Sequence, residues 1–179
     1  MKILPKTLTD TWWGNILLGL GAAVIFYYVI LSTILSSTTP VVAVVSNSMK
    51  HDASLEYDHY GWLEENLGYN RTYIDSWPVS KGFSVGDMPI VKGQDKYEIG
   101  NVIVYSVSEV NAPIIHRIIK INNDGTYQTK GDNNPGQLPY ESSVKPEQIK
   151  GKVIFIIPKI GYFKVLINKV TEKLFSGVT

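Results

Sequence analysis

Ser48 lies in the run Ser46-Asn47-Ser48-Met49, a few residues past an uncharged apolar span, and carries the side chain of a nucleophile. A serine hydroxyl attacks poorly near neutral pH, so a catalytic serine needs a general base within hydrogen-bond reach. Three histidines are available. His51 and His59 fall in a polar, aromatic stretch, whereas His116 interrupts the apolar run Pro113-Ile114-Ile115-His116-Arg117-Ile118-Ile119. Strand alternation there gives His116 a face set by its neighbours. Imidazole, with an ordinary pKa of about 6.5, is a competent base at neutral pH, while a lysine must first be strongly desolvated. A third segment, Lys130-Gly131-Asp132-Asn133-Asn134-Pro135, supplies a carboxylate that could orient a histidine and stabilise it once it has taken a proton. Each residue also has a plain structural reading. A histidine in a strand packs like any other side chain, and an aspartate before Asn-Asn-Pro bonds to the backbone of its own turn.

The elements that must position these groups begin with an anchor. No charge occurs from Thr11 to Met49, and residues 16–35 form an apolar span of about twenty residues, the length that crosses a hydrocarbon core as a helix. Trp12 and Trp13 precede it as interfacial aromatics do; Lys2 and Lys6 lie before them, and no basic residue follows until Lys50. That asymmetry predicts a cytoplasmic N-terminus over residues 1–15, a transmembrane anchor over 16–35 and an extracytoplasmic remainder. A cleaved secretory signal has the same charge order, but its apolar region is usually shorter, and cleavage near Ser36 would leave the serine motif at a new terminus.

Residues 36–158 read as an antiparallel β domain, with runs rich in Val, Ile and Tyr punctuated by Gly, Asn, Asp and Pro. Strands are expected over 41–45, 89–91, 101–107, 114–121, 126–130 and 152–157, with Asn123-Asp124-Gly125 as a hairpin turn. Residues 51–80 differ, carrying Tyr57, Tyr60, Trp62, Tyr69, Tyr73 and Trp77 among polar residues; a short helix over 54–67 stopped by Gly68 is expected. Such an insertion either packs its aromatics on the β domain or docks them at lipid headgroups. Asn70-Arg71-Thr72 fits a glycosylation sequon. Over residues 159–179, Phe163, Leu166, Ile167, Val170 and Leu174 oppose Lys164, Lys169 and Lys173, a basic amphipathic helix that lies on the membrane or packs on its own domain.

Composition narrows the chemistry. The 179-residue chain contains no cysteine, which excludes thiol catalysis, cysteine-ligated zinc and disulfides, and its net charge of +1 does not suggest nucleic acid as a main partner. It has no glycine-rich phosphate loop and no internal repeat.

Ser46-Asn47-Ser48-Met49 after the anchor is followed by Gly86-Asp87-Met88-Pro89-Ile90-Val91, Ile99-Gly100-Asn101-Val102-Ile103-Val104-Tyr105, His116-Arg117-Ile118-Ile119 and Gly131-Asp132-Asn133-Asn134. In this order the segments resemble the conserved boxes of type I signal peptidases, and Gly151-Lys152-Val153-Ile154-Phe155 extends the likeness to about Pro158. The bacterial branch has a lysine at the base position. Here that position is His116, so the chain resembles the archaeal and endoplasmic-reticulum branch. The resemblance implies Ser48 as nucleophile, His116 as general base and then acid, and Asp132 as the residue positioning His116. It offers Ser46 and the backbone N–H of Ser48 as the oxyanion hole. Many relatives carry a second aspartate six residues after the first, a place held here by Leu138. Either Asp132 serves alone, or another acid such as Glu141 reaches the site. Lys50-His51-Asp52 also replaces the acidic-proline pair common elsewhere.

The expected protein is a membrane-anchored serine endopeptidase that removes signal peptides, with preproteins and the bilayer as partners, secretion-machinery partners also open, and no cofactor or metal. The alternatives are a protease dedicated to one partner and a non-catalytic, membrane-tethered β module.

Overall fold

The computed structural model describes residues 11–160. Lys2, Lys6 and the amphipathic segment beyond Ile160 lie outside the described residues.

Helix α1, Trp12–Ile34, has a mean hydropathy of 2.1 over its most apolar window, and none of that window is buried against the domain. It is long and apolar enough to cross a membrane. Thr11 caps its start by accepting from the Gly14 N–H, and Phe26–Leu31 winds as a π-helical turn. The helix is joined to the β domain directly. Tyr27 donates its hydroxyl to the Val41 carbonyl, Gly93 N–H bonds the Leu35 carbonyl at 2.8 Å, and Ser37 Oγ donates to Lys150 O at 2.8 Å. A Cβ on Gly93 would fall 1.9 Å from the Ser36 carbonyl oxygen, so only glycine allows this approach.

The protein is mainly β. Strands β1 (Met88–Lys92), β2 (Val102–Tyr105), β3 (Ile114–Ile121), β4 (Tyr127–Lys130) and β5 (Ile149–Ile157) form one sheet in the order β1-β5-β2-β3-β4, antiparallel throughout. Bulges at Ile90/Val91, Val104/Tyr105 and Ile118/Lys120 shift the register and strengthen its twist. β2 is buried along its whole length, as its unbroken Val-Ile-Val-Tyr run requires. The turn after β3 forms as expected, with Gly125 at φ +83° and its N–H bonded to the Asn122 carbonyl.

One expected strand takes a weaker form. Residues 41–45 run extended beside β1 but make a single ladder pair, Val41 with Ile90; Val42 N–H and Val44 N–H reach the Pro89 and Asp87 carbonyls. One edge of this segment is thus hydrogen-bonded and the other is not committed to β1.

The insertion contains a π-helical turn, Glu56–Gly61, then α2 (Trp62–Leu67), ended by Gly68 in the left-handed conformation, and α3 (Arg71–Asp75), capped by Asn70. Leu63, Ile74 and Trp77 pack with Ile119 of β3, and Tyr69 donates its hydroxyl to the Ile119 carbonyl at 2.9 Å. Most of its aromatics therefore serve as packing, with Tyr57 and Tyr73 left exposed. Leu63 is wholly buried, so Leu63→Ala should cost about 2–5 kcal/mol by loss of transfer energy plus a cavity. Denaturant unfolding of the detergent-solubilised protein measures this, and a loss under about 1 kcal/mol would show that the insertion is not docked as described.

Candidate active site

Ser46, Ser48 and His116, three of the residues singled out in sequence, line one cleft near the point of the sheet where β4 stops pairing with β3. The cleft has a volume of about 290 Å³, and its lining includes Ala43 to Ser46, Ser48, Phe83, Ile114 to His116, Asn134, Leu138 and Tyr140. Ser48 and His116 therefore face the same space. Ser48 is half-buried, and its Oγ lies 3.2 Å from the Oγ of exposed Ser46.

His116 is buried between two contacts that fix its ring. Its Nδ1 bonds Glu141 Oε1, and its Nε2 sits 2.9 Å from where a Cβ on Gly131 would lie. A carboxylate accepts and cannot donate, so Nδ1 carries the proton and Nε2 is left with its lone pair. Glu141 is itself wholly buried. It closes the short helix Pro139–Glu141 and reaches back so that Oε2 accepts from Leu138 N–H at 2.6 Å, an arrangement of the capping-box kind. Thr129 and Tyr105 extend the network, their hydroxyls 2.9 Å apart. Burial pushes the Tyr105 phenol well above its ordinary pKa, so it stays neutral.

Asp132 has other partners. Its carboxylate receives Arg117 Nε at 2.9 Å and Nη2 at 2.7 Å, and His51 Nε2 at 2.9 Å, while His59 Nδ1 lies 3.5 Å away. The expectation that Asp132 orients His116 differs from this geometry, and strand alternation is the reason. His116 and Arg117 are successive residues of β3 and point to opposite faces, so an acid drawn to the guanidinium lies on the side away from the imidazole. Arg117 is 1% exposed and spends its remaining donors on the Pro78, Val79 and Gly100 carbonyls. Burial by itself would raise the Asp132 pKa, but the Arg117 charge and the bonds from His51 and Arg117 outweigh it and hold the group far below the usual carboxylate range.

Sequence reasoning missed Arg117, His51 and His59 as parts of this cluster. One signal was available: an arginine inside an apolar strand run must bring an acid with it. Lys130 is also buried. Its Nζ donates to the carbonyls of Gly131, at 3.0 Å, and of Asp58, and burial lowers its pKa to about 8. Among the described residues there is no group of three or more His, Cys, Asp or Glu side chains able to hold a metal ion.

No protein-family model matches the chain. It is similar to the signal peptidase complex catalytic subunit of Komagataella phaffii, with 33% identity over 109 residues, 52% of this chain and 64% of that protein. The subunits of Colletotrichum graminicola and Saccharomyces cerevisiae are 28% and 29% identical over 105 residues, 52% of this chain and 61% and 63% of theirs. The likeness is to catalytic subunits of the signal peptidase complex, and the matched region spans somewhat less than two thirds of these relatives' length.

The cluster makes stability depend on pH. Burial lowers the His59 pKa to about 4. As pH falls from about 6.5 toward 4, the unfolded chain takes up a proton that the folded protein refuses, and stability falls over that window. Asp132, with a depressed folded pKa, adds stability that is present above about 3.9 and lost as pH falls further. Both effects have the same sign. The unfolding temperature should drop between pH 7 and pH 4.5, and His59→Asn, which does not titrate, should flatten part of that drop; an equal drop in both proteins would count against His59 as its source.

Proposed function

We propose that this protein is a membrane-anchored serine endopeptidase that removes signal peptides from exported preproteins. The observation that carries the reading is the shared cleft: Ser48 and His116 line it together, and Glu141 holds the far nitrogen of His116. Its relatives are named as catalytic subunits of the signal peptidase complex, which supports the same reading.

The cleft suits an extended peptide. Val42 and Val44 turn their N–H groups to the β1 side, so the alternate peptide groups at Ala43 and Val45 face the other way. On the opposite wall Ile114 to His116 pair with β2 along one edge, while pairing with β4 begins only at Arg117. Two free strand edges thus flank the space, and a substrate strand can add to them by main-chain hydrogen bonds. Val44, Phe83, Ile115, Leu138 and Tyr140 give walls that suit small apolar side chains.

In the reaction Ser48 Oγ attacks the scissile carbonyl carbon while His116 Nε2 takes the hydroxyl proton. The C–N bond breaks as His116 returns that proton to the leaving amine, and an acyl-enzyme remains. Water, deprotonated by His116, then attacks the ester and frees Ser48. Glu141 keeps Nδ1 protonated and stabilises the imidazolium, and Asp132 with Arg117 anchors the loop beneath the base. Ser46 Oγ and the Ser48 N–H are the donors proposed for the oxyanion. Helix α1 spans the membrane with its N-terminus cytoplasmic and the β domain outside. The preprotein's apolar segment lies in the same bilayer, which brings its cleavage region to the cleft before specific contacts form.

Ser48→Ala should abolish cleavage of a labelled preprotein by the purified protein while leaving its unfolding temperature near that of the wild type, and His116→Ala should abolish it with a lower unfolding temperature, since buried Glu141 loses a partner. Retained cleavage in either variant would sink the pair. Glu141→Gln, which cannot hold the imidazolium, should lower kcat by about a hundredfold or more. Because His116 acts only when neutral, the rate should fall on the acid side of the pH profile, and a profile without an acidic limb would remove His116 from the role of base.

A further inference from the structure

The geometry points to His51 and His59, both in the insertion, as positioning residues for cleavage: they hold Asp132, and through it the loop 131–134, against the base and the nucleophile. This rests on the functional reading above and gives the insertion a part in it.

A buried carboxylate has about four acceptor sites to satisfy. Arg117 takes one on each oxygen of Asp132; His51 Nε2 approaches Oδ2 at 2.9 Å, and His59 Nδ1 faces Oδ1 at 3.5 Å. The carboxylate is thereby surrounded by one guanidinium from the sheet and two imidazoles from the insertion. Both rings are confined. A Cβ on Gly82 would fall 2.5 Å from the His51 ring, and His59 stands edge-on to Tyr60 and Trp77. Two further tethers run the same way: Ser54 Oγ donates to Asn133 Oδ1 at 2.7 Å, and Lys130 Nζ joins the carbonyls of Asp58 and Gly131.

The other side of the same loop touches the chemistry. Asn133 N–H donates to the Ser48 carbonyl at 2.8 Å, and Asp132 N–H points at the Met49 sulfur at 3.5 Å. Gly131 lies against His116 Nε2, with no room for a Cβ between them. A shift of this loop therefore moves the floor under the base and the backbone of the nucleophile together. Neither histidine has to be charged for this, because a neutral ring with its N–H toward Asp132 donates as required.

The test uses the full-length protein in detergent with a labelled preprotein. Gln places an amide N–H near the Nε2 position and Asn near the Nδ1 position, so His51→Gln and His59→Asn keep the donor that His51→Ala and His59→Ala remove. We expect His51→Ala to lower kcat about tenfold or more with KM within about twofold, and His51→Gln to restore most of the loss. His59→Ala and His59→Asn should follow the same pattern more weakly. Hydrogen exchange over residues 131–134 should quicken in the alanine variants and return toward wild type in the amide variants. Should an alanine variant not fold, Ser54→Ala removes a half-buried tether and should by itself quicken exchange at Asn133. Wild-type kcat in both alanine variants, a loss that the amides do not restore, or unchanged exchange would overturn the proposal. A wild-type protein that cleaves no preprotein would overturn the functional reading instead, and exchange would still decide whether the histidines hold the loop.

Discussion

The structure depends on one buried ion pair, Arg117 with Asp132. A guanidinium taken out of water inside a β-sheet is tolerated only when an anion and further acceptors meet it, and here a two-pronged carboxylate and three backbone carbonyls do so. Because Arg117 follows His116 in the same strand, satisfying the charge on one face fixes the imidazole on the other. The loop that brings Asp132 also brings Gly131 under His116 and Asn133 to the Ser48 backbone. One electrostatic requirement thus sets the floor of the cleft.

A second constraint is the short connection from helix α1 to Ser48. The contacts of Tyr27, Leu35 and Ser37 with the β domain tie the helix end to the sheet, and the chain from there to Ser48 runs along β1. That segment and the start of β3 both line the cleft. The same short segment therefore both links helix α1 to the sheet and lines the cleft.

Much of the β domain is legible in the residues. Period-2 patterning and glycine turns mark β3, β4 and their hairpin, and the Ile-Gly-Asn-Val-Ile-Val-Tyr run marks β2. The segment 41–45 also reads as a strand but makes only one ladder pair, Val41 with Ile90. The insertion's helix and its Gly68 stop follow from local rules. Its histidines do not, since nothing local says that two imidazoles separated in sequence converge on one distant carboxylate.

The sequence alone determined that an apolar span precedes a serine, that a histidine lies within a buried strand, and that acidic residues follow in a loop. Each depends on composition and short-range periodicity, which a linear chain displays. Tertiary structure decided which acid meets His116 and which meets Arg117. Asp132 and Glu141 are both carboxylates downstream of His116, and no spacing rule tells them apart. The partition comes from strand alternation, which sends Arg117 toward Asp132, and from the turn at Leu138, which folds Glu141 back beneath the imidazole.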